Sequence, residues 1–102
     1  LSRMRRPLDV MAGVEEEIRG ERASALGHSG ERLEAVLAEL VRLRAEVDAA
    51  PATERAARVA AFNATRAQAE RLYEQLCIQR EAMGVRNHDM LAATYPVPKR
   101  LR

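Results

Sequence analysis

The sequence predicts an all-α protein, either an antiparallel helical hairpin or a three-helix bundle, with a long C-terminal helix and an extended tail. Apolar residues recur at helical spacing, and no alternating run of the strand type occurs. Alanine, the strongest intrinsic helix former, is abundant, and the 5 glycines and 4 prolines are few. A chain of 102 residues is long enough for a single helical domain and too short for two.

A basic arm at residues 1–6 precedes the first predicted helix, residues 7–26. Pro7 suits the first turn of this helix, because its missing N–H would be unpaired there anyway. Branched apolar residues then recur every four positions, at Val10, Val14 and Ile18. A Gly-His-Ser-Gly run at residues 27–30 predicts that the helix breaks there.

The second predicted helix covers residues 30–48, and Ser29 is a suitable N-cap for it. Apolar residues spaced alternately three and four apart form a coiled-coil heptad seam: Leu33, Val36, Leu40, Leu43 and Val47. Leu37 and Val41 widen this seam into the broader stripe that is typical of a helix in a bundle.

The third predicted helix covers residues 53–83 and follows a short connection that contains Pro51. A connection this short normally joins antiparallel neighbours. Gly84 is a suitable residue to end the helix, because glycine adopts the left-handed conformation found there. Residues 85–102 are predicted to form a short turn and an extended tail, since two prolines one residue apart favour extended backbone.

The second and third predicted helices differ in length. At a rise of 1.5 Å per residue, they measure about 28 Å and about 45 Å. The second helix is therefore too short to cover the end of the third helix. That end is strongly apolar, and an exposed apolar patch usually marks an interaction site. The candidate partner-binding residues are Leu72, Tyr73, Leu76, Arg80 and Met83.

Three arrangements would cover this apolar end. The first helix folds back to complete a three-helix bundle, a second copy forms a dimeric bundle, or a different protein supplies the missing helix. We therefore expect a non-enzymatic helical protein–protein interaction module, such as an assembly, adaptor or regulatory subunit. We expect this module to self-associate as a homodimer or a larger homo-oligomer.

The distribution of charge supports a second hypothesis, a helical protein that binds nucleic acid through its Arg-rich ends. The net charge is only +2, and all but one of the 17 basic residues are arginine, a bias that GC-rich codon usage also explains. Many charges within the helices are balanced by neighbours four positions away, so the excess lies at the two ends. The candidate phosphate-binding residues are Arg3, Arg5, Arg6, Arg66, Lys99, Arg100 and Arg102.

A third hypothesis is a small enzyme or metal protein. Cys77 and His88 are a possible nucleophile and base, but a helix end separates them in the sequence. The spacing of Glu81, His88 and Asp89 matches no standard metal site. We therefore expect no enzyme activity, cofactor, metal or small-molecule substrate.

Composition also bears on location. No run of about 18 apolar residues occurs, so we expect neither a transmembrane helix nor a membrane partner. The basic start is not followed by a hydrophobic stretch, so it lacks the pattern of a secretory signal. Cys77 is the only cysteine, and a chain without an intrachain disulfide fits the reducing cytoplasm.

Overall fold

The computed structural model describes the backbone of residues 7–102, and the side chains of Glu17 and of residues 24–102. This part of the chain forms three helices and no strand, which confirms the all-α prediction: α1 at Pro7–Ala49, α2 at Ala52–Ala82 and α3 at Asp89–Thr94. The predicted basic arm, residues 1–6, lies outside the described residues.

The two long helices form an antiparallel hairpin. α1 and α2 are joined by two residues, Ala50 and Pro51, and pack against each other. Within the described part of the chain, no helix is both long enough and apolar enough to cross a membrane.

α1 is one continuous helix of 43 residues, so the predicted break at residues 27–30 is wrong. The predicted helices at residues 7–26 and 30–48 are its two halves, and Ser29 is buried inside it rather than capping it. A glycine in a helix interior costs only about 1 kcal/mol relative to alanine, which packing readily offsets. The packing here depends on the small residue: a Cβ at Gly30 would lie 2.8 Å from the hydroxyl oxygen of Tyr95.

α2 begins and ends within one residue of the predicted helix at residues 53–83. Its end is closed by two backbone hydrogen bonds of the Schellman type. The amide of Gly84 donates to the carbonyl of Glu81 at 2.9 Å, and the amide of Val85 donates to that of Arg80 at 3.0 Å. Gly84 has a φ of 88°, a conformation that residues with a side chain rarely adopt, so its predicted role is confirmed.

The core consists of apolar side chains between α1 and α2, together with one buried residue of α3. Its buried members are Leu33, Leu40, Leu43, Val47, Phe62, Ala69, Leu76 and Leu91. Among the described side chains of α1, all the buried apolar ones belong to the heptad seam read from the sequence, and the remaining seam residue, Val36, packs partly buried against them. The seam is therefore the face that α1 turns towards α2.

The segment after α3 is extended, as predicted, and it folds back along the hairpin. Asn63 and Leu101 exchange two hydrogen bonds: Asn63 Nδ2 donates to the Leu101 carbonyl, and the Leu101 amide donates to Asn63 Oδ1, both at 2.9 Å. Arg66 Nε also donates to the carbonyl of Pro98, at 2.7 Å. Since Asn63 and Arg66 belong to the first half of α2, the tail runs back towards the α1–α2 connection.

Most of the apolar patch predicted at the end of α2 is covered, contrary to the expectation from helix lengths, whereas Met83 is 37% exposed. Leu76 is only 3% exposed, and Leu72 and Tyr73 pack against the core. The expectation is wrong for two reasons. α1 continues past the glycines, so that Leu26 also contacts the core, and the returning segment adds Leu91 and Tyr95.

Two glycine substitutions separate helix propensity from packing in α1. Gly27→Ala meets nothing within 4 Å and should raise the free energy of unfolding by about 1 kcal/mol. Gly30→Ala gains the same propensity but must displace the Tyr95 hydroxyl, so its effect should be smaller or destabilising. Urea unfolding followed by circular dichroism measures both changes.

Tyr95→Phe supplies the control, because it removes the oxygen that blocks position 30. In that background, Gly27→Ala and Gly30→Ala should stabilise the protein equally. Equal stabilisation in the wild-type background would contradict the close approach of Tyr95 to α1.

Candidate functional site

A groove of about 890 Å³ lies between α1 and the returning C-terminal segment, and we call it the tail groove. Four residues of α1 form its apolar wall on one side: Leu37, Ala38, Leu40 and Val41. The opposite wall is formed by Tyr95, Pro96, Pro98 and Leu101. Charged residues also line the groove, namely Glu34, Arg44 and Lys99. The result is an apolar cleft with a few charged groups around it.

Val41 is a strongly exposed apolar residue of the tail groove, with 72% of its surface open to solvent. It lies three or four positions from Leu37, Ala38 and Arg44, so helical geometry places all four side chains on one side of α1. Leu37 and Val41 are the residues that widen the α1 stripe beyond the heptad seam. A single partner helix covers the seam, and the widened edge is left facing the groove.

The groove wall formed by the C-terminal segment, which we call the tail wall, is held in place by hydrogen bonds from side chains of α2. In addition to the bonds made by Asn63 and Arg66, Arg55 Nη1 donates to the carbonyl of Arg102 at 3.3 Å. Pro96 and Pro98 have no N–H, so this wall presents ring carbons and few backbone donors to the groove. The shape of the groove therefore depends on polar contacts between α2 and the tail.

The predicted partner-binding residues do not line the tail groove and do not form one open surface. Leu76 is in the core, while Leu72 and Tyr73 are partly buried, and burial raises the pKa of the Tyr73 phenol. Arg80 donates to His88 Nδ1 at 3.4 Å and to the carbonyl of Asn87 at 3.3 Å, so it holds the segment before α3. Met83 is 37% exposed. In this fold Leu76 is not accessible to a partner.

The predicted nucleic-acid residues are only partly brought together. Arg3, Arg5 and Arg6 lie outside the described residues. Arg66 donates a hydrogen bond to the carbonyl of Pro98 and forms an ion pair with Glu70 at 3.1 Å. The three basic residues of the tail are exposed: Lys99, Arg100 and Arg102. The returning tail places them in the same half of the hairpin as Arg55. The sequence pattern did not identify Arg55 as a candidate residue. No local pattern signals this contact, because 47 positions separate Arg55 from Arg102.

The residues considered for catalysis have other partners. Burial raises the pKa of the Cys77 thiol, and the nearby charge of Glu81 raises it further, so the reactive thiolate is disfavoured. His88 Nε2 lies 3.1 Å from Glu81 Oε1, and its other ring nitrogen accepts the bond from Arg80. Within the described residues, no cluster of three or more His, Cys, Asp or Glu side chains is arranged to hold a metal.

Asn63→Ala tests how the tail wall is fixed. This change removes both hydrogen bonds to Leu101, and each lost bond to a partly buried group costs about 1–3 kcal/mol. We expect the backbone amide of Leu101 to exchange its hydrogen at least about tenfold faster, measured by NMR or mass spectrometry.

Asn87→Ala is the matched control, because Asn87 Oδ1 accepts a hydrogen bond only from the Asp89 amide, outside the tail. It should leave exchange at Leu101 unchanged. Slow exchange at Leu101 in Asn63→Ala would show that the tail is held by other contacts.

Comparisons with known protein families, with curated proteins and with solved structures found no match. The candidate site is therefore defined by the residues of this chain alone.

Proposed function

We propose that this chain is a non-enzymatic helical protein–protein interaction module, such as an assembly, adaptor or regulatory subunit, and that the tail groove is its binding surface. The observation that carries the proposal is an apolar groove with Val41 72% exposed in its wall. An apolar centre with polar groups around it is the usual anatomy of a protein interface. Contiguous exposed apolar patches rimmed by polar residues mark interaction sites and binding grooves.

A helix suits this groove better than an extended peptide. The α1 wall presents Leu37, Ala38 and Val41 at helical spacing, and such a surface offers ridges between which the side chains of another helix fit. An extended peptide would need backbone donors and acceptors along an edge, but Pro96 and Pro98 supply no donor. The expected occupant is an amphipathic helix that inserts apolar residues at intervals of three and four.

The surroundings of the potentially reactive groups support a binding role over a catalytic one. Cys77 has a raised pKa, and nucleophilic catalysis requires the opposite shift or an adjacent base. His88, the base considered from the sequence, is engaged by Glu81 and Arg80.

Site-specific cross-linking in cells of the source organism tests the proposal. A diazirine-bearing amino acid at position 41 should form covalent adducts with protein when irradiated. Position 78 is the matched control, because Ile78 is also branched and is 66% exposed on α2, away from the groove. Electrophoresis followed by mass spectrometry identifies the adducts.

An adduct with a second copy or with another protein, formed at position 41 and not at position 78, would support the tail groove as a binding surface. Cross-linking at position 41 that does not exceed that at position 78 would rule it out.

A second candidate function, nucleic-acid binding, is favoured by one observation. The tail presents Lys99, Arg100 and Arg102 close together, with Arg55 bonded to the last of them. None of these four side chains forms an ion pair within the described residues, so no neighbouring carboxylate neutralises their charges, which would attract phosphates.

Fluorescence anisotropy with single- and double-stranded oligonucleotides across a salt series tests this candidate. Changing the three basic tail residues to Gln should make the dependence of log affinity on log salt shallower by about 2 to 3. The matched control carries Gln at three exposed arginines elsewhere: Arg32, Arg71 and Arg86. An equal loss in the control, or no binding at low salt, would contradict a phosphate site on the tail.

A further inference from the structure

We infer that the occupant of the tail groove is a second copy of this chain, whose α1 lies antiparallel to the first across a two-fold axis near residue 39. The inference rests on the proposed function and names the partner of that same groove. It is carried by the order of charged and apolar side chains along the α1 wall. Glu34 lies at one end, Arg44 lies at the other, and Leu37 and Val41 lie between them.

A two-fold axis makes this wall complementary to itself. In an antiparallel pair of helices, residues equally far from the axis on either side face each other. Glu34 and Arg44 are both five positions from residue 39, and Leu37 and Val41 are both two positions from it. One axis therefore aligns an ion pair and an apolar pair at the same time, and symmetry repeats each of them.

A parallel arrangement lacks this complementarity. It would place Glu34 against the second Glu34 and Arg44 against the second Arg44, and like charges across an interface are strongly unfavourable. The order of charges along α1 therefore selects the antiparallel orientation.

Glu34 and Arg44 each have atoms available for an ion pair with the second copy. Among the described residues, no ion pair involves Glu34. Arg44 Nε lies 3.3 Å from Asp48 Oδ1 in an exposed pair, so the terminal nitrogens of its guanidinium remain available. Ala38, beside the axis, is small and allows the two helices to approach closely.

The association also explains the exposed valine. Val41 is 72% exposed in one chain, and in the pair it would pack against Leu37 of the second copy. Burial of a branched apolar side chain on both sides of the axis favours association, while the charged pairs specify orientation and register.

A charge-reversal series tests the arrangement, with sedimentation equilibrium and light scattering as the measurements. Glu34→Arg and Arg44→Glu each place like charges together at both ends of the interface, so each should raise the dimer Kd by about tenfold or more. The double variant, Glu34→Arg with Arg44→Glu, restores both pairs and should return the Kd to that of the wild type. Arg71→Glu is the control, an exposed reversal outside the groove that should have no such effect.

The outcomes separate this inference from the proposed function. A wild-type dimer that is weakened by both single reversals and restored by the double variant would establish the antiparallel pair. A dimer indifferent to all three variants would overturn this arrangement. A wild-type protein that is monomeric at every concentration would overturn the second copy as occupant. The interaction groove itself would be overturned by cross-linking at position 41 that does not exceed that at position 78.

Discussion

The packing of the apolar face of α1 against that of α2 is the contact on which the rest of the structure depends. The shared core has Leu33 and Leu40 of α1 and Phe62 and Leu76 of α2 among its most buried members. A chain of 102 residues buries a modest share of its surface, so a hairpin alone leaves the edges of its apolar stripes exposed. The segments after α2 take their positions by covering these exposed apolar edges.

The C-terminal tail covers one edge by a different kind of interaction. Its prolines prevent a helix, and an extended backbone must find hydrogen-bond partners outside itself. Asn63 and Arg66 of α2 provide them for Leu101 and Pro98. Apolar burial thus holds the hairpin together, while side-chain-to-backbone hydrogen bonds set the position of the tail and, with it, the width of the groove.

This division of roles connects the fold to the proposed function. On the edge of α1 beside the seam, Leu37 packs partly buried against the core while Val41 is 72% exposed, so the fold leaves this edge open to a partner at Val41. Glu34 and Arg44 lie on the same edge and place opposite charges at its two ends. A partner helix in the groove would cover the exposed apolar residues of α1, just as the tail covers the apolar edge on the other side of the groove.

The sequence by itself determined the elements whose signals are local. Periodic apolar residues specify the seam of α1, and Gly84 ends α2 because only glycine readily adopts its positive φ. The tertiary structure alone decided that α1 continues through Gly27 and Gly30, since the propensity cost of glycine is small compared with the packing of Leu33 and Tyr95 nearby. It likewise decided that Leu76 is buried and that a groove exists, because the contact between Asn63 and Leu101 joins residues 38 positions apart. No local pattern encodes such a contact, which forms only once the helices have placed both residues side by side.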